Sequence, residues 1–276
     1  MTETQGIPHF IYGTAWKESA TADLTYLALK TGYRAIDTAN QRKHYFEAGV
    51  GEGLKKFWAE SGLSRDDIFL QTKFTYSRGQ DHRKPYNEQD PFRKQVQDSF
   101  ASSLEHLGTD HLDSYVLHGP YYNDGLGEED FETWTAMEAH HKKGQTKFLG
   151  VSNINASQLR ELLTKVSVKP TFVQNRCFAR FKWDADVRQI CRQHGIYYQG
   201  FSLLTANVNE LSTAPVVDLV HKYRKTIPQI VFKFAQKVGM IPLTGTTDPE
   251  HMKEDLQIED FDLSAAELEL IENLGK

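Results

Sequence analysis

Four stretches of this 276-residue chain end a short apolar run on a residue that can do chemistry. GYRAID ends on Asp37, DIFLQTK on Lys73, LDSYVLH on His118, and FLGVSN on Ser152 and Asn153. A carboxylate, an ammonium and an imidazole are the parts of an acid–base site, because each can hold or pass a proton and each tunes its neighbours. An ionised group at the tip of a buried strand is costly unless it is partnered, so tips of this kind point to one shared site. The bland reading of Asp37 with Lys73 is a buried ion pair, and that of His118 is a packed histidine. The position of His118 at a strand end beside Gly119 and Pro120 favours the site.

The stretch 32–54 sets the pattern for the elements that must hold these groups. A strand runs into Asp37, a polar loop follows, and a helical pattern begins at Glu47. In parallel α/β proteins the loops at the carboxyl ends of the strands carry the chemistry. The same alternation recurs along the chain. PHFIYGT turns at Gly13, and a helix covers 20–31. After the second strand a helix is expected over 47–60, then a strand over 68–72 and a long polar loop over 76–90. A helix follows from Phe92, with Val96, Phe100, Leu104 and Leu107 on one face and Gly108 as its stop signal.

Further strands are expected at 113–117, 147–151, in TFVQNR, in GIYYQGFSLL and at 239–242. Helices are expected at 129–143, from the Asn155 cap to Val166, and at 185–194, 216–223, 228–238 and 264–274. The last opens with Ser264 and Glu267 as a capping box. Eight strands alternating with helices, with no linker or repeat between them, predict a closed (β/α)8 TIM barrel, one domain over 1–276. A doubly wound open sheet is the alternative. GVGEGL at 49–54 superficially resembles its dinucleotide fingerprint, but follows the second strand and lies inside a helical pattern.

Composition narrows the function. The chain is 39% hydrophobic and 25% charged, with a net charge of −5 and no long run of one sign. Nothing in it calls for nucleic acid or a membrane surface. MTETQGIPHF lacks the basic and apolar regions of a secretory signal, and Cys177 and Cys191 are too few for a disulfide scaffold. The expectation is a cytoplasmic protein, monomeric or weakly dimeric. A metal-dependent hydrolase would need clustered His, Asp or Glu ligands at strand ends, which the tips beyond Asp37 and His118 do not offer, so no metal is expected.

Taken as a set, these motifs resemble the aldo-keto reductase family. GYRAIDTA is similar to its aspartate strand, QTK to its lysine strand, LDSYVLHGP to its histidine strand, GVSN to its nicotinamide-binding turn, VQN to its glutamine strand and IPLTGTT to its phosphate loop, in family order over 8–274. The resemblance implies a (β/α)8 barrel that binds NADPH, with NADH possible, and reduces aldehydes or ketones. Asp37, Lys73 and His118 would be three of its four catalytic groups. The fourth, a tyrosine, falls in a loop two residues longer than the family's usual spacing. Counting back from Val50 and Gly51 puts His44 in its column, with Tyr45 next to it. Tyr45 is taken as the proton donor, because a phenol is what the lysine and aspartate are arranged for. Lys73 is expected to lower the phenol's pKa and His118 to orient the carbonyl oxygen.

The resemblance further implies that Ser152, Asn153 and Gln174 bind the nicotinamide carboxamide, that Phe201 stacks on its ring, that Ser202 and Leu203 begin the loop over the pyrophosphate, and that Thr244, Gly245, Thr246 and His251 serve the phosphate end. Leu243 and His251 stand where the family usually offers two cations to the 2′-phosphate, so discrimination between NADPH and NADH is expected to be weak. The mouth for a small-molecule carbonyl substrate is expected to collect Trp16, Phe46, Phe74, Tyr121, Tyr122 and Trp183. Family members often carry a further tail over the substrate, and the stop at Lys276 predicts an open, tolerant pocket. The competing reading is a catalytically weak, nicotinamide-cofactor-binding subunit with a regulatory or interaction role, supported by the altered tyrosine loop.

Overall fold

Eight parallel strands pair in sequence order and close on themselves, β1 meeting β8. They are β1 (Ile11–Gly13), β2 (Ala35–Asp37), β3 (Phe69–Phe74), β4 (Leu112–Leu117), β5 (Thr146–Ser152), β6 (Phe172–Arg176), β7 (Tyr197–Phe201) and β8 (Met240–Thr244). This architecture is the (β/α)8 barrel, seen in a computed structural model that describes residues 6–275. Residues 1–5, part of the segment read above for a secretory signal, and Lys276 lie outside the described residues. No described helix is long and apolar enough to cross a membrane.

Strand alternation sorts the side chains into inside and outside. Asp37 sits in register with Gln71, Gln71 with Ser114, and Gln174 with Gln199. Below that level Ile11, Ala35, Phe69, Phe172 and Ile241 fill the barrel as one apolar cluster, with Phe148 and Tyr197 against it. The outward residues, among them Tyr12, Ile36, Leu70, Tyr115, Leu149, Val173 and Tyr198, form the larger core under the helices. β2, β3, β6 and β7 therefore carry an apolar residue at the floor (Ala35, Phe69, Phe172, Tyr197) and a polar or charged one a step nearer the carboxyl end (Asp37, Gln71, Gln174, Gln199). That second layer is where the site begins.

The helices are α1 (Thr21–Thr31), α2 (Glu47–Ser61), α3 (Phe92–Leu107), α4 (Glu128–Lys142), α5 (Ala156–Lys165), α6 (Ala185–His194), α7 (Val208–Leu211), α8 (Ala214–Tyr223), α9 (Ile227–Lys237), α10 (Pro249–Leu256) and α11 (Ala265–Glu272). The GVGEGL run lies within α2. A Cβ on Gly51 would stand 2.0 Å from the His106 carbonyl oxygen, and one on Gly53 2.5 Å from that of Ala22. These glycines let α2 press its backbone against α1 and α3, which fixes the helix that follows the Tyr45 loop.

Two helices, α7 and α10, are additional to the sequence expectation. The signal for α10 is local: Asp248 caps it by accepting from the Glu250 and His251 amides, and Pro249 occupies its first turn. β3 and β8 each run two residues past their expected ends, to Phe74 and Thr244. β7 stops earlier, at Phe201, because Ser202 turns into a left-handed conformation with φ 55°.

Candidate active site

Lys73 is 0% exposed, and its Nζ donates to both Asp37 carboxylate oxygens at 2.7 and 2.6 Å and to the Thr38 carbonyl at 2.8 Å. Asp37 is held from below as well. Gln71 and Gln174 donate to its Oδ1 at 2.7 and 3.0 Å, and both also donate to Gln199 Oε1 at 2.8 and 2.9 Å. Three glutamines thus form a platform that turns one face of the carboxylate into an accepting surface and leaves Lys73 above it. Gln71 and Gln199 are functional residues that sequence reasoning missed. The signal was present, because Gln71 is two residues before Lys73 and so shares its face.

The lengthened loop after β2 sorts its two candidate donors by backbone geometry. The His44 and Tyr45 amides both donate to the Gln41 carbonyl, at 3.1 and 3.0 Å, so the extra residues are taken up in a tight turn. The Gln41 side chain ties that turn down, donating to the Gly79 carbonyl at 2.6 Å and meeting His44 Nδ1 at 2.9 Å. His44 then points to the rim, where its ring lies on Trp16 at 4.1 Å between centroids. Tyr45 points inward, with Lys73 Nζ 5.2 Å from its ring centroid and the His118 ring at 5.9 Å, edge to face.

The electrostatics follow from burial. His118 is held well below the ordinary histidine value, first by burial and then by the charge of Lys73, so its ring is neutral at neutral pH. Its Nδ1 is 2.7 Å from the Thr75 hydroxyl, which leaves Nε2 as the nitrogen available to a ligand. Burial also lowers the pKa of Lys73, against the pull of Asp37. Tyr45 is pushed above its ordinary value of 10.0 by burial and then by the Asp37 charge. This is opposite to the shift expected from Lys73 alone. The physical reason is burial, which penalises the phenolate, with the Asp37 charge adding to it while the Lys73 ammonium is engaged by the Asp37 oxygens at 2.7 and 2.6 Å.

These groups share one cavity of about 980 Å³, open at the carboxyl ends of the strands. Asp37, Tyr45 and His118 line it, as do all the expected cofactor residues: Ser152, Asn153, Gln174, Phe201, Ser202, Leu203, Thr244, Gly245, Thr246 and His251. Trp16, Asn153 and Ser202 all have left-handed backbones close behind strand ends, at φ 62°, 52° and 55°, a strain that collects at ligand sites. Ser152 Oγ donates to the Gln174 carbonyl at 2.6 Å and Asn153 to the His118 carbonyl at 2.7 Å, linking the β4, β5 and β6 tips. Lys17, buried after β1, donates to the Gly245 carbonyl, and burial lowers its pKa to about 8. The donor set fits an extended dinucleotide, with amides and hydroxyls at the β5–β6 tips and hydroxyls, backbone amides and His251 at the β8 end.

Of the residues expected at the substrate mouth, the structure brings only Trp16 to the cavity. Phe74 is fully buried outside the barrel, against Tyr76 and Tyr86, because strand alternation turns it away from Lys73. Trp183 is likewise core: its indole donates to the Ile271 carbonyl at 2.9 Å. Phe46 lies under the Arg42 guanidinium beside a smaller cleft. Tyr121 packs on Tyr76 and Phe92, and the Tyr122 hydroxyl donates to Glu129. The walls are made instead by His44, Thr75, Tyr76, Arg78, Phe178 and Leu204, from loops whose irregular paths carry no periodic signal.

Comparison with known proteins agrees with this geometry. Residues 9–276 match the sequence model of the Aldo/keto reductase family. Glyoxal reductase of Bacillus subtilis (strain 168) is 30% identical over 250 residues, covering 90% of this chain and 81% of that protein. A crystal structure of an aldo/keto reductase from Brucella melitensis superposes with a TM-score of 0.81 at 29% identity, covering 97% of this chain and 95% of that one. An aldo-keto reductase solved with NADPH, AKR2E5, gives a TM-score of 0.82 at 26% identity, covering 97% and 84%.

Proposed function

Because the chain belongs to the aldo-keto reductase family, we propose that it reduces aldehydes or ketones to alcohols in this cavity, with NADPH as electron donor and Tyr45 as proton donor. The observation that carries the reading is the convergence of Tyr45, His118 and the buried Lys73–Asp37 pair at the cavity floor. A relative of known structure binds NADPH, and the donor set here suits the same ligand.

When bound, the reduced nicotinamide supplies the hydride. The residues supply the rest. Tyr45, held above its ordinary pKa, keeps its proton at neutral pH, so the acid is loaded before a carbonyl arrives. After donation the phenolate needs a cation, and Lys73 is the one within reach. Asp37 keeps that cation in place, and the glutamine platform keeps Asp37 in place. His118, neutral, can donate one hydrogen bond to the carbonyl oxygen without adding a charge that would compete for the proton. Gln174, Ser152 and Asn153, which line the cavity, would hold the carboxamide, and Phe201 would offer its ring face to the nicotinamide.

The test is loss of cofactor absorbance with aromatic aldehydes, aliphatic aldehydes and glyoxal, run separately with NADPH and NADH, alongside cofactor binding followed by protein fluorescence. Turnover with several carbonyls is expected. Tight cofactor binding with no turnover of any carbonyl would sink the reductase reading and leave a cofactor-binding regulatory role.

A further inference from the structure

Arg78 is a cation at the wall of the cavity with no carboxylate partner among the described residues. It lies in the turn after β3, and one of its guanidinium nitrogens donates to the carbonyl of Pro120, two residues beyond His118. Its guanidinium also lies over the Tyr121 ring, 5.7 Å from the centroid. These two contacts fix an exposed side chain in one place. The next residue, Gly79, accepts from Gln41 at 2.6 Å, so the Arg78 turn and the Tyr45 turn are tied together.

The charge balance of the cavity makes Arg78 unusual. Two carboxylates line the cavity. Asp37 is occupied by Lys73 and the glutamines, and Asp255 is buried against the Thr244 hydroxyl at the β8 side. Neither serves Arg78, and among the described residues it forms no salt bridge. Arg176, the other arginine on the wall, lies over Phe201 on the β6–β7 side, 5.6 Å from that ring's centroid. Trp16, Tyr76 and Phe178 also line the cavity and give it aromatic walls. A guanidinium with one N–H used and the others available matches the planar, bidentate geometry of a carboxylate.

We propose that Arg78 anchors a carboxylate on the substrate, so that the preferred carbonyl compounds are those bearing an anionic group at the end away from the aldehyde or ketone. This rests on the reductase reading of the cavity, and it adds the substrate class. The aromatic walls suit an aryl or extended apolar spacer between the two groups. No part of Arg78's role involves the reacting atoms, so it is a binding residue and its removal is expected to move selectivity.

The experiment compares para-formylbenzoate with its methyl ester, which has nearly the same shape, lacks the charge and is at least as electrophilic. Wild-type kcat/KM is expected to favour the carboxylate by about 10-fold, the scale of one charge-assisted hydrogen bond at a partly exposed site. In Arg78→Met that ratio should fall to about one, whereas Arg78→Lys should keep part of it. A ratio near one in the wild type, or an unchanged ratio in Arg78→Met, overturns the proposal. If neither compound turns over, the reductase reading fails separately, and calorimetric titration of both compounds without reduced cofactor still decides the anchor. Charge-selective binding that Arg78→Met abolishes supports it, and equal binding overturns it.

Discussion

Two adjacent side chains, His44 and Tyr45, divide the work of one loop between rim and floor. Only Tyr45 reaches Lys73, so Tyr45→Phe is expected to lower kcat by at least about 100-fold, the scale of general acid catalysis, with cofactor affinity unchanged. His44→Ala should instead raise KM through loss of the Trp16 stack, and abolition of kcat by that change alone would reverse the assignment. Asp255 carries a second residue-scale prediction. Burial pushes its carboxyl from 3.8 up to about 6, so the folded chain holds a proton that the unfolded chain releases between those values. Stability from this group is present below pH ~4 and lost as pH rises through ~6, by roughly 1–3 kcal/mol at about 1.4 kcal/mol per unit. Asp255→Asn cannot titrate and can still accept from Thr244. The stability difference between wild type and variant, measured by urea unfolding, should therefore shift against the wild type between pH ~4 and ~7. A difference that stays constant over that range would rule the effect out.

At the scale of elements, α2 shows how packing can overrule propensity. Ala for Gly in a helix interior favours folding by about 1 kcal/mol, yet a Cβ on Gly51 would sit 2.0 Å from a backbone oxygen of α3. Backbone cannot swing aside as a flexible side chain can, so the overpacking cost of about 1–3 kcal/mol or more should win. Gly51→Ala is expected to lower the unfolding midpoint, and because α2 follows the Tyr45 turn, to lower kcat as well. A neutral or stabilised variant would mean that α2 and α3 are not in backbone contact. The same contrast explains what could be read from sequence. Strand tips were legible because alternation and charge coincide at Asp37, Lys73 and His118, and caps such as Asn155 and Ser264 because side chain and amide are three residues apart. The cavity walls were not, because Tyr76, Arg78 and Phe178 come from loops brought together by barrel closure. Phe74 was misplaced for a related reason: β3 continues past Lys73, and one further residue of strand reverses the side a residue faces.

Across the whole molecule, stability and selectivity occupy different places, and two tryptophans expected to share the substrate mouth make the separation measurable. Trp183 is 0% exposed and knits the three-residue left-handed turn before α6 to α11 through Ile271, beside the Arg188–Glu272 ion pair. Trp16 is 68% exposed and touches the protein mainly through His44 and the cavity rim. Replacing a buried tryptophan with alanine removes its apolar contacts, leaves a cavity and orphans the Ile271 carbonyl, so Trp183→Ala should cost about 3–5 kcal/mol. Trp183→Phe, which keeps most of the volume, should cost about 1–3 kcal/mol through the lost hydrogen bond. Neither variant, where folded, should change the ranking of carbonyl substrates. Trp16→Ala should leave the unfolding free energy within about 0.5 kcal/mol of wild type and raise KM for aromatic aldehydes more than for small aliphatic ones. The measurement is a paired one, unfolding midpoint against relative kcat/KM across the same aldehyde series. If Trp183→Phe reorders the substrates while Trp16→Ala does not, the mouth lies on the α6 side of the barrel and the cavity walls identified above are not the ones the substrate meets.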